Sequence, residues 1–176
     1  MRHGFSLIPL ALVAALGAAP AAAETYLTVA QAQAILCPGA VLTPVTVTLT
    51  DEQAAAIEAD SGVGVRSRQV RAFKVSSGGW MVVDEVPGEH AALPIAVAFD
   101  RRGAVRGVEI LEDREHDGDG VRDPAWRAQF VGKRRGAPLR LGGDIRPIAG
   151  ALVSCRRIAD GVRRLLSTHA IALSAG

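Results

Sequence analysis

A chain of 176 residues holds one domain with a sizeable core and would cramp two. Its 20 basic and 18 acidic side chains nearly balance, which argues against a nucleic-acid partner, because such a partner goes with a strongly basic face. The two cysteines, Cys37 and Cys155, lack Cys-x-x-Cys spacing, which excludes a dithiol redox centre of that type.

The first 23 residues read as a secretory signal peptide. Arg2 supplies a positive end, Phe5 to Leu16 is apolar, and Ala21 to Ala23 forms a small-residue cleavage site before Glu24. The apolar run is short for a lasting span, and a retained anchor is the alternative. The mature protein is therefore expected to be exported, in the periplasm or another extracytoplasmic space, where disulfides persist. There Cys37 and Cys155 either close a long loop, worth about 3–5 kcal/mol, or stay as two buried apolar thiols.

Residues 24–88 form a lead-in of helices and a strand. Thr28 is placed to cap a helix over Val29 to Leu36, which Cys37-Pro38-Gly39 ends. From Pro44 the stretch Val41 to Leu49 alternates apolar residues with threonine, the period of a half-buried strand. Thr50 and Gln53 make a capping box for a helix over Asp51 to Ala59, stopped by Ser61-Gly62. This third of the chain carries no cluster that suggests chemistry and is expected to cover one side of a sheet.

Four short strands follow. Gln69 to Val75 and Trp80 to Val86 flank a Ser/Gly turn, and Leu93 to Phe99 and Ala104 to Leu111 flank Asp100 to Gly103. Strands joined by tight turns pair antiparallel, and helices lie before and after them, so the fold class is α+β with about four strands in a single domain. Asp123-Pro124 is a helix entry, with Trp126, Phe130 and Val131 at helical spacing and Gly132 at the end. The last helix runs from about Val153 to Thr168. Ile158, Val162, Leu165 and Leu166 form its apolar stripe, and Arg156, Arg157, Arg163 and Arg164 sit elsewhere on the cylinder.

Two stretches invite a chemical reading. The acidic loop Glu112 to Asp123 places oxygen ligands at alternate positions, but an EF-hand loop also needs a bidentate Glu at its twelfth position. Counting from Asp113 or Glu115 puts Pro124 or Trp126 there, so the calcium template fails and a solvated loop is expected. His90 and His116 have no visible nucleophile partner, which gives hydrolytic catalysis little support. The second stretch is Asp144 to Arg157, which leads into the last helix. Backbone N–H groups at a helix start hold phosphate well, Gly150 and Ala151 leave room for it, and Ser154 offers a hydroxyl to a phosphate or to the helix. Without a further signal such a turn is usually only a turn.

The order of these pieces resembles the FMN-binding domain family, which includes the FMN-carrying subunits of the sodium-pumping NADH:quinone reductase and of the Rnf complex. The family carries Glu-Thr-Pro-Gly-x-Gly, an aromatic residue, Gln-Phe and Gly-Lys, then Asp-x-x-Ser/Thr-Gly-Ala-Thr. This chain has Glu115 with Gly118 and Gly120, then Trp126, Gln129-Phe130, Gly132-Lys133 and Gly150-Ala151. Its hairpin Asp100 to Leu111 is similar to the family's Asp-x-x-Gly-x-Val-x-Gly-Val, so the likeness spans roughly His90 to Leu166, within an FMN-binding-like region at 89–170. The resemblance implies a flavin faced by the Gly118–Gly120 loop and by the turn of Ala149, Gly150, Ala151, Leu152 and Ser154. It implies that Trp126 walls the pocket or packs in the core, and that Lys133 neutralises phosphate or is solvated.

The attachment signature itself is altered. In the family the final Thr carries FMN through a phosphoester, and here Leu152, which has no oxygen, stands in its place. Ala149 replaces the Ser or Thr before the glycine, and Arg146 stands where the Asp is expected. The resemblance therefore implies FMN held without a covalent bond, in an exported electron carrier that meets a redox partner protein, membrane-bound or not. The alternative is a flavin-free binding or structural module that docks on such a partner.

Overall fold

The computed structural model describes residues 24–25, 27–87, 92–113 and 119–174. Residues 1–23, expected as a signal peptide, and His90, Glu115, His116, Asp117 and Gly118 lie outside them. The elements in chain order are β1 (Glu24–Thr25), α1 (Val29–Leu36), β2 (Leu42–Thr48), α2 (Asp51–Ser61), β3 (Gln69–Val75), β4 (Trp80–Pro87), β5 (Ala92–Phe99), β6 (Val105–Ile110), β7 (Glu112–Asp113), α3 (Pro124–Arg127) and α4 (Leu152–Thr168). Short 3-10 turns flank α3, and a π turn, His169–Leu173, continues α4. Among the described residues no helix is long and apolar enough to cross a membrane.

The fold is α+β, built on one antiparallel meander in the order β2-β3-β4-β5-β6. The sheet has five strands rather than about four, because the threonine-alternating strand of the lead-in pairs along its whole length with β3, from Leu42 with Val75 to Thr48 with Gln69. As an edge strand it is blunted by Pro44, which cannot donate outward. β6, the other edge, is covered: Val105 N–H donates to Lys133 O at 2.9 Å, and Gly132 N–H donates to Val105 O at 2.8 Å.

Strand alternation assigns each side chain to one of two layers. On β5, Ile95, Val97 and Phe99 join the core under α2 and α4, while Ala96 and Ala98 join a second core under α1. The small residues on the α1 side let that helix lie close: a Cβ on Gly107 would come within 2.7 Å of Leu36 Cδ2. Cys155 belongs to the first core and Cys37 to the second, so the sheet separates them and both are free, buried thiols. Burial pushes both thiols up.

Thr50 forms the capping box expected of it, Thr28 caps α1 as expected and does so through a capping box with Gln31, and Gly62 ends α2 at φ 67°. The helix expected from Pro124 is broken: α3 lasts four residues, and the chain tightens into a 3-10 turn at Ala128–Phe130. That tightening brings Gly132 and Lys133 onto the β6 edge. Arg164, off the apolar stripe of α4, is nonetheless buried. Its guanidinium donates to Asp84 Oδ2 at 2.6 Å and to Gly64 O at 3.1 Å, so the arginine ties α4 to β4 and to the strap after α2.

The approach of α4 depends on Gly161. A Cβ there would lie 2.2 Å from Val86 Cγ1 and 3.4 Å from Ile95 Cδ1. Gly161→Val is expected to destabilise the protein by about 2–3 kcal/mol in urea unfolding through overpacking, whereas Gly62→Ala, in open surroundings at positive φ, is expected to cost only about 1 kcal/mol.

His169, at the end of α4, is buried with its ring centroid 5.1 Å from that of Phe99. Burial lowers its pKa from 6.5, and the charge of Asp100 opposes the shift without cancelling it. The unfolded chain thus takes up the proton first as pH falls. Stability is complete above the unfolded value and is lost as pH drops from about 6.5 through the folded value. Urea midpoints measured from pH 7.5 to 5 are expected to decline for the wild type and to flatten for His169→Gln. The carboxylates with lowered values, Asp60, Asp100 and Asp144, start from 3.8 and act below this window.

Candidate functional site: the loop entering α4

α4 enters beside the end of the sheet where β4 turns into β5. Gly161 lies against Val86 and Ile95, Arg164 meets Asp84 further along β4, and His169 reaches Phe99 at the far end. The N-terminus of α4 therefore projects past the β4–β5 end of the sheet. The loop 133–150 delivers the chain to that point.

That loop is pinned by groups from the segment just before it. Trp126 Nε1–H donates to Arg146 O at 2.8 Å, and Arg146 N–H donates to Gln129 Oε1 at 2.8 Å. Gln129 Nε2 also donates to Trp126 O at 3.1 Å, so the amide is fixed from behind. The Asp144 carboxylate accepts from Arg140 N–H at 2.7 Å, Leu139 N–H at 3.2 Å and Lys133 Nζ at 3.1 Å. Burial pushes this carboxyl up, but the Arg140 N–H and the Lys133 ammonium outweigh it and leave the pKa lowered. Leu139 sits at φ 46°, a strained value for a leucine, and stays there because its side chain is buried and Asp144 holds its N–H. On the other side, a Cβ on Gly120 would meet Ile148 Cγ2 at 2.7 Å. Only a glycine lets that turn lie on the loop.

The residues singled out from the sequence divide into two groups. Trp126 is core: it is buried and packs edge-on against Phe130 at 5.3 Å, so it offers no wall to a ligand. Lys133 is half-buried and paired with Asp144. Ala151 and Ser154 are buried beneath the turn. Ala149, Gly150 and Leu152 face outward, Leu152 being 56% exposed, while Gly120 is half-buried and Gly118 lies outside the described residues. Gly150 adopts φ 84° with nothing within 4 Å of where a Cβ would be. Gln129, Ile148 and Asp144 are members of this constellation whose roles the sequence pattern alone did not assign. The signal was there in Gln129, but an exposed-looking amide does not announce a backbone partner 17 residues away.

The helix start is electrostatically bare. Ala151 is its N-cap at φ −124°, with no side-chain cap, and no acidic residue occupies the first turn. A 17-residue helix is about 26 Å long and presents a positive end there. Leu152 and Arg156 stand one turn apart on the same face, so the bare end carries an exposed apolar side chain with an exposed guanidinium above it. Such an arrangement favours an anion with an apolar neighbour.

Trp126→Phe keeps the packing and removes the donor to Arg146 O. The change is expected to lower stability by about 1–2 kcal/mol in urea unfolding and to raise amide exchange at residues 145–150.

No family model matches the chain, and neither does any curated protein or solved structure.

Proposed function

We propose that the turn 149–154 receives the phosphate of FMN without a covalent bond, and that the protein is an exported flavin-based electron carrier serving a redox partner protein. The observation that carries this reading is convergence. Trp126, Gln129, Lys133 and Gly120 are scattered in the sequence, yet each acts on the loop between Asp144 and Ile148 that sets the Gly150 turn.

The phosphate end of FMN fits the residues present. The N–H groups of Leu152, Val153 and Ser154 start the uncapped helix, Gly150 leaves the approach open, and Arg156 adds a charge one turn in. The exposed side chains of Leu152 and Val153 supply apolar surface for a flat ring. Leu152 has no atom able to form a phosphoester, which excludes attachment at that position. When bound, the isoalloxazine ring supplies the electron transfer. The protein's part is to orient the cofactor, neutralise its phosphate and screen one ring face from water. A second reading, a flavin-free exported module, is favoured by the internal engagement of Trp126 and Lys133.

Titration of FMN with the mature protein is expected to quench flavin fluorescence saturably. Leu152→Asp should stabilise the helix start by about 0.5 kcal/mol while weakening FMN at least tenfold, because its carboxylate competes with the phosphate. Replacing Arg146→Asp, Ala149→Ser and Leu152→Thr together, with a flavin transferase co-expressed, should give flavin that stays with the denatured chain. A wild-type protein that leaves FMN fluorescence unchanged defeats the carrier reading and leaves the module.

A further inference from the structure

Among the described residues the α1 face of the sheet is only partly covered. α1 spans eight residues, and its core contacts are with Phe73, Met81, Ala96 and Ala98. Beyond the start of the helix a groove of about 720 Å³ remains, within the size range of small-molecule sites. Val83 and Pro94 from neighbouring strands and Leu111, just past β6, line it, with Leu27 and Val29 from the entry to α1. Arg66 and Arg71 line it as well.

Arg71 pairs directly with Val83 across β3 and β4, which sets its guanidinium beside the apolar surface. The guanidinium carbon lies 5.8 Å from the Phe73 ring centroid. Among the described residues neither Arg66 nor Arg71 has a carboxylate partner, whereas Arg127, Arg135, Arg163 and Arg164 each have one. Of the two carboxylates in the lining, Asp84 is already engaged by Arg164 at 2.6 Å, which leaves Glu85 against two arginines. The groove therefore combines an excess positive charge with an apolar floor. A guanidinium fork matches a carboxylate in two parallel hydrogen bonds. The floor rewards an apolar body and gives nothing to a fully polar anion.

We propose that this groove binds an amphiphilic carboxylate, a single acid head on an apolar chain of medium length. The site shares no residue with the turn before α4, so it stands whether or not that turn holds FMN.

The test is calorimetric titration of the mature protein with decanoate below its micelle concentration, alongside decanol and acetate. Decanoate is expected to bind saturably at one site, with decanol and acetate each at least tenfold weaker. Arg66→Gln with Arg71→Gln should weaken decanoate at least tenfold, and Glu85→Gln should tighten it. All three positions are exposed, so the far-UV circular dichroism should not change. No saturable decanoate binding, decanol binding as tightly as decanoate, or an unchanged affinity in the double arginine variant would each overturn the proposal. FMN titration of the same double variant reports on the other site separately.

Discussion

The close contact of α4 with the sheet at Gly161 is the constraint on which the remaining structure depends. With no side chain at that position, the helix axis drops toward Val86 and Ile95. Ile158, Val162, Leu165 and Leu166 can then seal the larger core. The same approach brings Arg164 within reach of Asp84 and Gly64 O, a buried cation that would be ruinous without those acceptors. It also fixes where α4 begins, and so where the loop 133–150 must deliver the chain. A helix held one side chain further out would lose these consequences together.

The loop before α4 is shaped by groups that ignore most of its side chains. Trp126 and Gln129 bind the backbone of residue 146, and Asp144 binds the backbone of residues 139 and 140. The hydrogen bonds that shape the turn are made to backbone groups, so the side chains of Arg146, Ala149 and Leu152 take no part in them. Shape and reactivity are set by separate residues here.

Charge is distributed in keeping with that division. Several cations of the C-terminal third are engaged by structural carboxylates: Arg127 by Glu109, Lys133 by Asp144, Arg135 by Asp60 and Arg163 by Asp160. Among the described residues Arg66 and Arg71 have no such partner, and both lie beside a groove on the α1 face. Near-neutral overall composition thus hides local excess, because pairing depends on which surfaces the fold brings together.

The sequence by itself determined most of the elements. Caps at Thr28 and Thr50, the alternation of β2 and the tight turns between β3 and β4 and between β5 and β6 are local signals, and those elements formed where the signals lay, whereas the helix expected from Pro124 stopped after four residues. The sequence also marked the turn before α4, since glycine and alanine ahead of an amphipathic helix are readable in one dimension. Only the tertiary structure decided that β2 joins the sheet, because the partner of an alternating strand is not written in the strand. It likewise placed Cys37 and Cys155 on opposite sides of the sheet, turned Trp126 inward, paired Lys133 with Asp144, and left Arg71 without an acid among the described residues. A residue type declares what bonds it can make. Which of them it makes depends on neighbours that are distant in sequence, and these are known only once the core has closed.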